Sequence, residues 1–186
     1  GRLPPRTAEA EERAKQQREA RNAPPPAEQT VSQELDRLDR GVRCRGGSPL
    51  LSGRGYNSNY QIFQTDEYVG IQIEMHHETR LIPIGDVAPS QVGPPSVMGS
   101  SRGHWEGDTL VVETTNLLRG SNGSTPDVRV TERFSRVGPE QLQYDYTLDD
   151  PSTWTRTWTA RIFLRPAPGT GAIYEYACHE GNYAAE

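Results

Sequence analysis

The chain has 186 residues, of which 33% are hydrophobic, with 18 Gly, 15 Pro and a formal net charge of −5. That length suits one domain with an appendage, and so much Gly and Pro favours strands and turns over a helical bundle. The acidic balance argues against a nucleic-acid partner, and no run approaches the roughly 20 apolar residues of a membrane-spanning helix.

Residues 1–30 have the character of an arm. The chain begins at Gly1 in a polar, Pro-rich context, and any export signal or anchor is expected to have been removed before that point. Leu3-Pro4-Pro5 is extended. A helix is predicted from Thr7, as cap, to Asn22. Glu9, Glu11 and Glu12 lie in its first turns and Lys15, Arg18 and Arg21 in its last, the order that suits the helix dipole. Almost nothing on it is apolar beyond Ala, so it is expected to be solvated or laid on a partner. Pro24-Pro25-Pro26 ends it as a stiff spacer. A short second helix is predicted over 31–40, with Val31, Leu35, Leu38 and Val42 on one face and Gly41 as its stop. A Gly-, Ser- and Asn-rich loop follows to 59.

From Tyr60 the apolar period becomes two. Candidate strands are 60–65, 68–76, 78–84, 109–115, 127–137, 141–149, 155–165 and 173–178. Leu142, Tyr144, Tyr146 and Leu148 point one way, and Gln141, Gln143, Asp145 and Thr147 the other. Such one-sided alternation means antiparallel strands with one buried face. Gly107-Asp108, Gly138-Pro139, Asp149-Asp150-Pro151 and Pro168-Gly169 are turn signals. His104-Trp105-Glu106 enters the first of these turns as a strand, and 85–100 is a long connection. Consecutive hairpins with no amphipathic helix to cover them favour an all-β, barrel-like or strongly curved antiparallel sheet of about eight strands, with a two-sheet sandwich as the alternative. The expected organisation is a helical, Pro-rich arm over 1–30, a short helix and loop over 31–59, and an antiparallel β domain over 60–186.

Cys44 and Cys178 flank the β domain. A disulfide between them would close a loop of roughly 130 residues and contribute roughly 4–5 kcal/mol in the chain-entropy description; two buried free thiols are the alternative. The disulfide reading favours an oxidising compartment. Neither Cys belongs to a CxxC pair, which argues against a zinc site.

Several segments together resemble a large family of exported bacterial proteins with no assigned activity. They are Tyr56-Asn57-Ser58-Asn59-Tyr60-Gln61-Ile62, Arg80-Leu81-Ile82-Pro83-Ile84, the long run Ser101-Arg102-Gly103-His104-Trp105-Glu106-Gly107-Asp108-Thr109-Leu110-Val111-Val112-Glu113-Thr114-Thr115-Asn116, Glu132-Arg133-Phe134, Asp150-Pro151-Ser152-Thr153-Trp154-Thr155, and Tyr174-Glu175-Tyr176-Ala177-Cys178-His179-Glu180-Gly181-Asn182-Tyr183. The resemblance covers roughly 44–183, and it departs in the connection at 85–100 and after Arg119. It implies export and one shared architecture, and it carries over no catalytic residues.

Candidate chemistry is sparse. His76 and His77 are neighbours on an expected strand and must face opposite sides. His76, His104, His179 and Glu106 could form an imidazole–carboxylate metal site, against the plainer reading of polar strand faces. Cys178-His179-Glu180 resembles a thiol with an adjacent base, but catalytic Cys/His pairs draw the base from elsewhere in the fold and neighbours on an extended chain diverge; Ser101-Arg102-Gly103-His104 lacks a nucleophile elbow. Glu113 and Glu132 lie beside Arg129, Arg133 and Arg136, and a buried Glu there requires an Arg partner.

The leading expectation is a non-enzymatic structural or accessory subunit of the periplasm or cell envelope, needing no cofactor. It would sit peripheral to the membrane, with no span of its own. Its partner would be a larger protein assembly, for which a membrane-bound complex is a reasonable host. Arg2, Leu3, Arg13, Arg18 and Arg21 of the arm are its expected contact residues. A second expectation is a lipocalin-like small-molecule or lipid binder, with a cavity lined by Tyr144, Tyr146, Trp154 and Trp158. A third is a metal-assisted enzyme built on His76, His104 and His179.

Overall fold

Alternation of apolar and polar residues after Tyr60 resolves, in a computed structural model, into eight strands among the described residues: β1 (Tyr60–Gln64), β2 (Tyr68–Ile73), β3 (Glu78–Pro83), β4 (Ser100–Glu106), β5 (Thr109–Thr115), β6 (Arg129–Gly138), β7 (Gln141–Asp149) and β8 (Trp158–Leu164). The structure describes residues 3–24, 30, 47–52, 57–86, 93–169, 173 and 175–178. The strands form two antiparallel sheets, β1-β2-β3 and β4-β5-β6-β7-β8, each a meander in which strands pair only with chain neighbours.

The sheets do not close into the expected barrel. β3 and β4 are joined by the stretch 84–99, and an isolated parallel bridge, Ile84 to Gly103, spans their facing edges. A side chain at Gly103 would run into the Ile84 side chain, so that close approach requires Gly. β1 and β8 are the outer strands of their sheets. The apolar faces are covered instead by each other: Val69, Ile71 and Ile82 of the small sheet share one core with Leu110, Val112, Phe134 and Tyr144 of the large one. A second cluster, Leu117, Val128, Val130 and Leu148, fills the other end.

Local chemistry sets the remaining differences from the expected elements. β2 stops at Ile73 because Met75–His77 forms a single 3₁₀ turn, with His76 and His77 at φ of 61° and 51°. Neither histidine therefore lies on a strand. β4 begins at Ser100, inside what composition marked as a connection, and ends in the expected Gly107-Asp108 turn with Gly107 at φ 58°. β8 begins only at Trp158 because 154–155 bond to the arm: Thr155 N–H donates to Pro5 O and Trp154 bridges Arg6. The described residues among 173–178 are not in a strand. The short helix expected over 31–40, and Cys44, lie outside the described residues.

The arm helix α1 (Ala8–Asn22) forms where the capping residues place it. Thr7 Oγ1 accepts from Ala10 N–H at 3.1 Å, and Glu9 pairs with Arg13 one turn on. Among the described residues no helix is long and apolar enough to cross a membrane.

Candidate functional site

Two inward positions, one on each sheet, carry opposite charges. Arg80 is in phase with Ile82 on β3, and Glu132 is in phase with Val130 and Phe134 on β6; both are buried. Arg80 Nη1 and Nη2 donate to Glu132 Oε1 and Oε2 at 3.0 and 2.5 Å. The remaining guanidinium donors go to Ser101 Oγ, Pro49 O and Thr114 Oγ1 at 3.0, 3.1 and 2.6 Å. All five N–H groups of the fork thus have acceptors. Tyr144 Oη donates to Glu132 Oε1 at 2.8 Å and accepts from Leu51 N–H. Burial, and then the adjacent Glu132 carboxylate, push the Tyr144 phenol well above its ordinary range. A network with every donor used has no vacancy for a substrate, so its chemistry is structural: it fastens β3 to β4, β5, β6 and β7.

Glu132 is therefore paired across the sheets, not with Arg129, Arg133 or Arg136. Glu113 is exposed. Sequence reasoning missed Arg80 as the partner. The available signal was an Arg in step with Ile82 and Ile84 while Leu81, between them, faces out.

Tyr144, Tyr146, Trp158 and Trp154 stand in a continuous ladder with ring centroids 5.7, 5.9 and 5.7 Å apart, and Phe134 packs on Tyr144 at 4.8 Å. These rings touch one another as packing. Neither of two cavities between the sheets is lined by the four residues expected to form one.

The first cavity, of about 360 Å³, is bounded by Ile62, Val69, Ile71, Leu110, Phe134 and Leu142, with Trp105 half-exposed among its walls. The second, of about 250 Å³, lies among Asn59, Tyr60, Glu140, Leu164 and Arg165. Ile62, Arg136 and Leu142 line both, so the two are lobes of one cleft.

The histidines are not brought together. His76 packs edge-on against Tyr176 at 5.1 Å at the β2–β3 corner. His104 lies on the exposed outer face of β4, where Glu106 accepts from it at 3.3 Å and from Arg133 at 2.7 Å. The hydrogen bonds from Arg133 and then His104 hold the Glu106 carboxyl below its usual value. His179 lies outside the described residues. Among the described residues no group of three His, Cys, Asp or Glu is placed to hold a metal ion.

The arm is fastened at its root. Thr7 N–H donates to Thr153 O, Thr7 Oγ1 to Ser152 O and Arg13 Nη2 to Ser152 O at 2.9 Å. The Arg6 guanidinium lies 5.6 Å over the Trp154 ring. Ala10 is buried, whereas 15–22 are all exposed. Arg13, expected to meet a partner, is thus engaged with its own chain. Leu3, Arg18 and Arg21 are exposed, and Arg2 lies outside the described residues. No known protein family, curated protein or solved structure matches this chain.

Proposed function

We propose that this chain is a non-enzymatic accessory module of the bacterial cell envelope that docks on a larger assembly, a membrane-bound complex being its host, through the outer turns of α1. One observation carries the reading: the helix is capped and pinned at its first turn, yet 15–22 bury nothing and present Lys15, Arg18 and Arg21 to solvent. A polar helix of this length is marginal in water by itself, so a fixed root that projects one is suited to presenting charge to another surface. The location outside the cytoplasm rests on the resemblance to exported proteins and on a Cys44–Cys178 disulfide. In its favour, no described cysteine is a free thiol.

Recovery of the host complex from solubilised native membranes tests this, using the intact chain, a chain lacking 1–22, and R18E/R21E. The reading expects one defined assembly with the intact chain and its loss with both variants. Equal recovery with all three overturns it. Alkylation of the unreduced chain, read by mass spectrometry, is expected to label neither cysteine.

A further inference from the structure

We infer that the two-lobed cleft between the sheets binds a single-chain anionic amphiphile, with its hydrocarbon chain in the larger lobe and its acidic head between Arg136 and Arg165. This site is independent of the docking reading, and it uses none of the residues of the arm.

The sheets pack face to face, but among the described residues they are bridged along one edge alone. The β3–β4 seam is closed at Ile84 and Gly103, while β1 and β8 are end strands. Between them the inward rows of both sheets line the cleft. On the large sheet that row is Arg136, Leu142 and Leu164, aligned across β6, β7 and β8. On the small sheet it ends at Ile62, which is 43% exposed although its facing neighbour Ile71 is 1% exposed. Ile62 thus presents apolar surface to both lobes of the cleft.

The two lobes differ in charge balance. The larger is walled by Ile62, Val69, Ile71, Leu110, Phe134 and Leu142, with Gln64, Trp105, Asp108 and the shared Arg136 beside them. The smaller holds two guanidiniums, Arg136 and Arg165, against one carboxylate, Glu140. In the larger lobe Asp108 balances Arg136, so the surplus positive charge, and with it the favoured place of an anionic head, lies in the smaller lobe. Arg136 contrasts with Arg80. The only hydrogen bond described for it runs from Nη1 to Pro139 O at 3.0 Å, so the rest of its fork has no partner among the described residues. Arg165 has no ion-pair partner among the described residues either. A planar fork with free donors, beside the apolar walls of the cleft, matches a carboxylate or phosphate head. The lobe volumes fall at or near the roughly 300–1,000 Å³ of small-molecule sites.

Calorimetric titration of the full chain with dodecanoate, dodecyl phosphate, dodecylamine and dodecanol, each below its micellar concentration, tests the inference. Dodecanoate or dodecyl phosphate is expected to bind saturably at one per chain, and the relative affinity of the two distinguishes carboxylate from phosphate recognition. The amine and alcohol are expected to bind about tenfold more weakly or not at all. R136Q/R165Q is expected to weaken the anionic ligand about tenfold with an unchanged melting temperature, because both side chains are exposed. I62D is expected to abolish binding of the chain. Absence of saturable anion binding, equal affinity for all four head groups, or wild-type affinity in R136Q/R165Q overturns the inference.

Discussion

Arg80 and Glu132 meet as a two-pronged ion pair 52 positions apart in sequence, and neither side chain is more than 2% exposed. Removing one member leaves the other charged and buried, at a cost of about 3–5 kcal/mol. Arg80→Ala and Glu132→Ala are each expected to lose that much in urea denaturation. Arg80→Met with Glu132→Leu is expected to cost less than either alone, since no charge is stranded. A double variant as damaging as the sum of the singles would show that the two residues act separately.

Asp150 gives the acid limb of stability. Burial opposes its ionisation, but hydrogen bonds from Ser152 and from Thr125 N–H, the latter at 2.6 Å, outweigh it and hold its carboxyl below the ordinary 3.8. The folded chain therefore binds fewer protons at this site than the unfolded chain. Its contribution is full above the unfolded value and is lost as pH falls through the folded one. Asp150→Asn is expected to be less stable at pH 7 and to show a shallower decline below pH 4. Parallel acid limbs in the two proteins would refute the assignment.

Two glycines separate crowding from conformation. A Cβ on Gly120 would collide with the backbone carbonyl of Ser124, whereas one on Gly85, at φ 66°, meets open space. Gly120→Ala is expected to cost about 3 kcal/mol or to misfold, and Gly85→Ala about 1 kcal/mol from left-handed strain alone. Thermal unfolding of the pair gives the order directly.

The arm root predicts a local effect. Thr7→Ala removes the cap of α1, worth about 1 kcal/mol, and Trp154→Ala removes the ring under Arg6. Both are expected to speed amide exchange across Ala8–Asn22. Thr7→Ala leaves exchange in β5 and β6 unchanged. Uniform acceleration in both regions would mean that the helix and sheets open together.

The extent to which this architecture was legible follows from which interactions are local. β5 and β7 lie where alternation put them, and α1 begins where Thr7 caps it, because period and capping are properties of adjacent residues. Barrel against paired sheets could not be settled that way. The answer depends on the crossing of Ile84 and Gly103, a contact between edges that no single-strand pattern encodes. His76 and His77 sit in a turn because a left-handed corner overrode a period that reads as strand. Arg80 was in principle legible, as a charge in step with Ile82, but pairing it with Glu132 needs the register of both sheets. The cleft was invisible, since the same Ile62 and Leu142 would fill a core if β1 and β8 met.

The bonds at the root of the arm also order events in time. Thr155 Oγ1 reaches back 150 positions to Pro5 O, and Thr7 pairs with Ser152 and Thr153. A chain emerging from the ribosome or a translocation pore makes α1 well before its seat at 152–155. The hairpins among β1 to β7 can form meanwhile from neighbours alone. The arm helix thus waits for its seat while those strands form, and throughout that interval it is open to capture by whatever else is being assembled nearby.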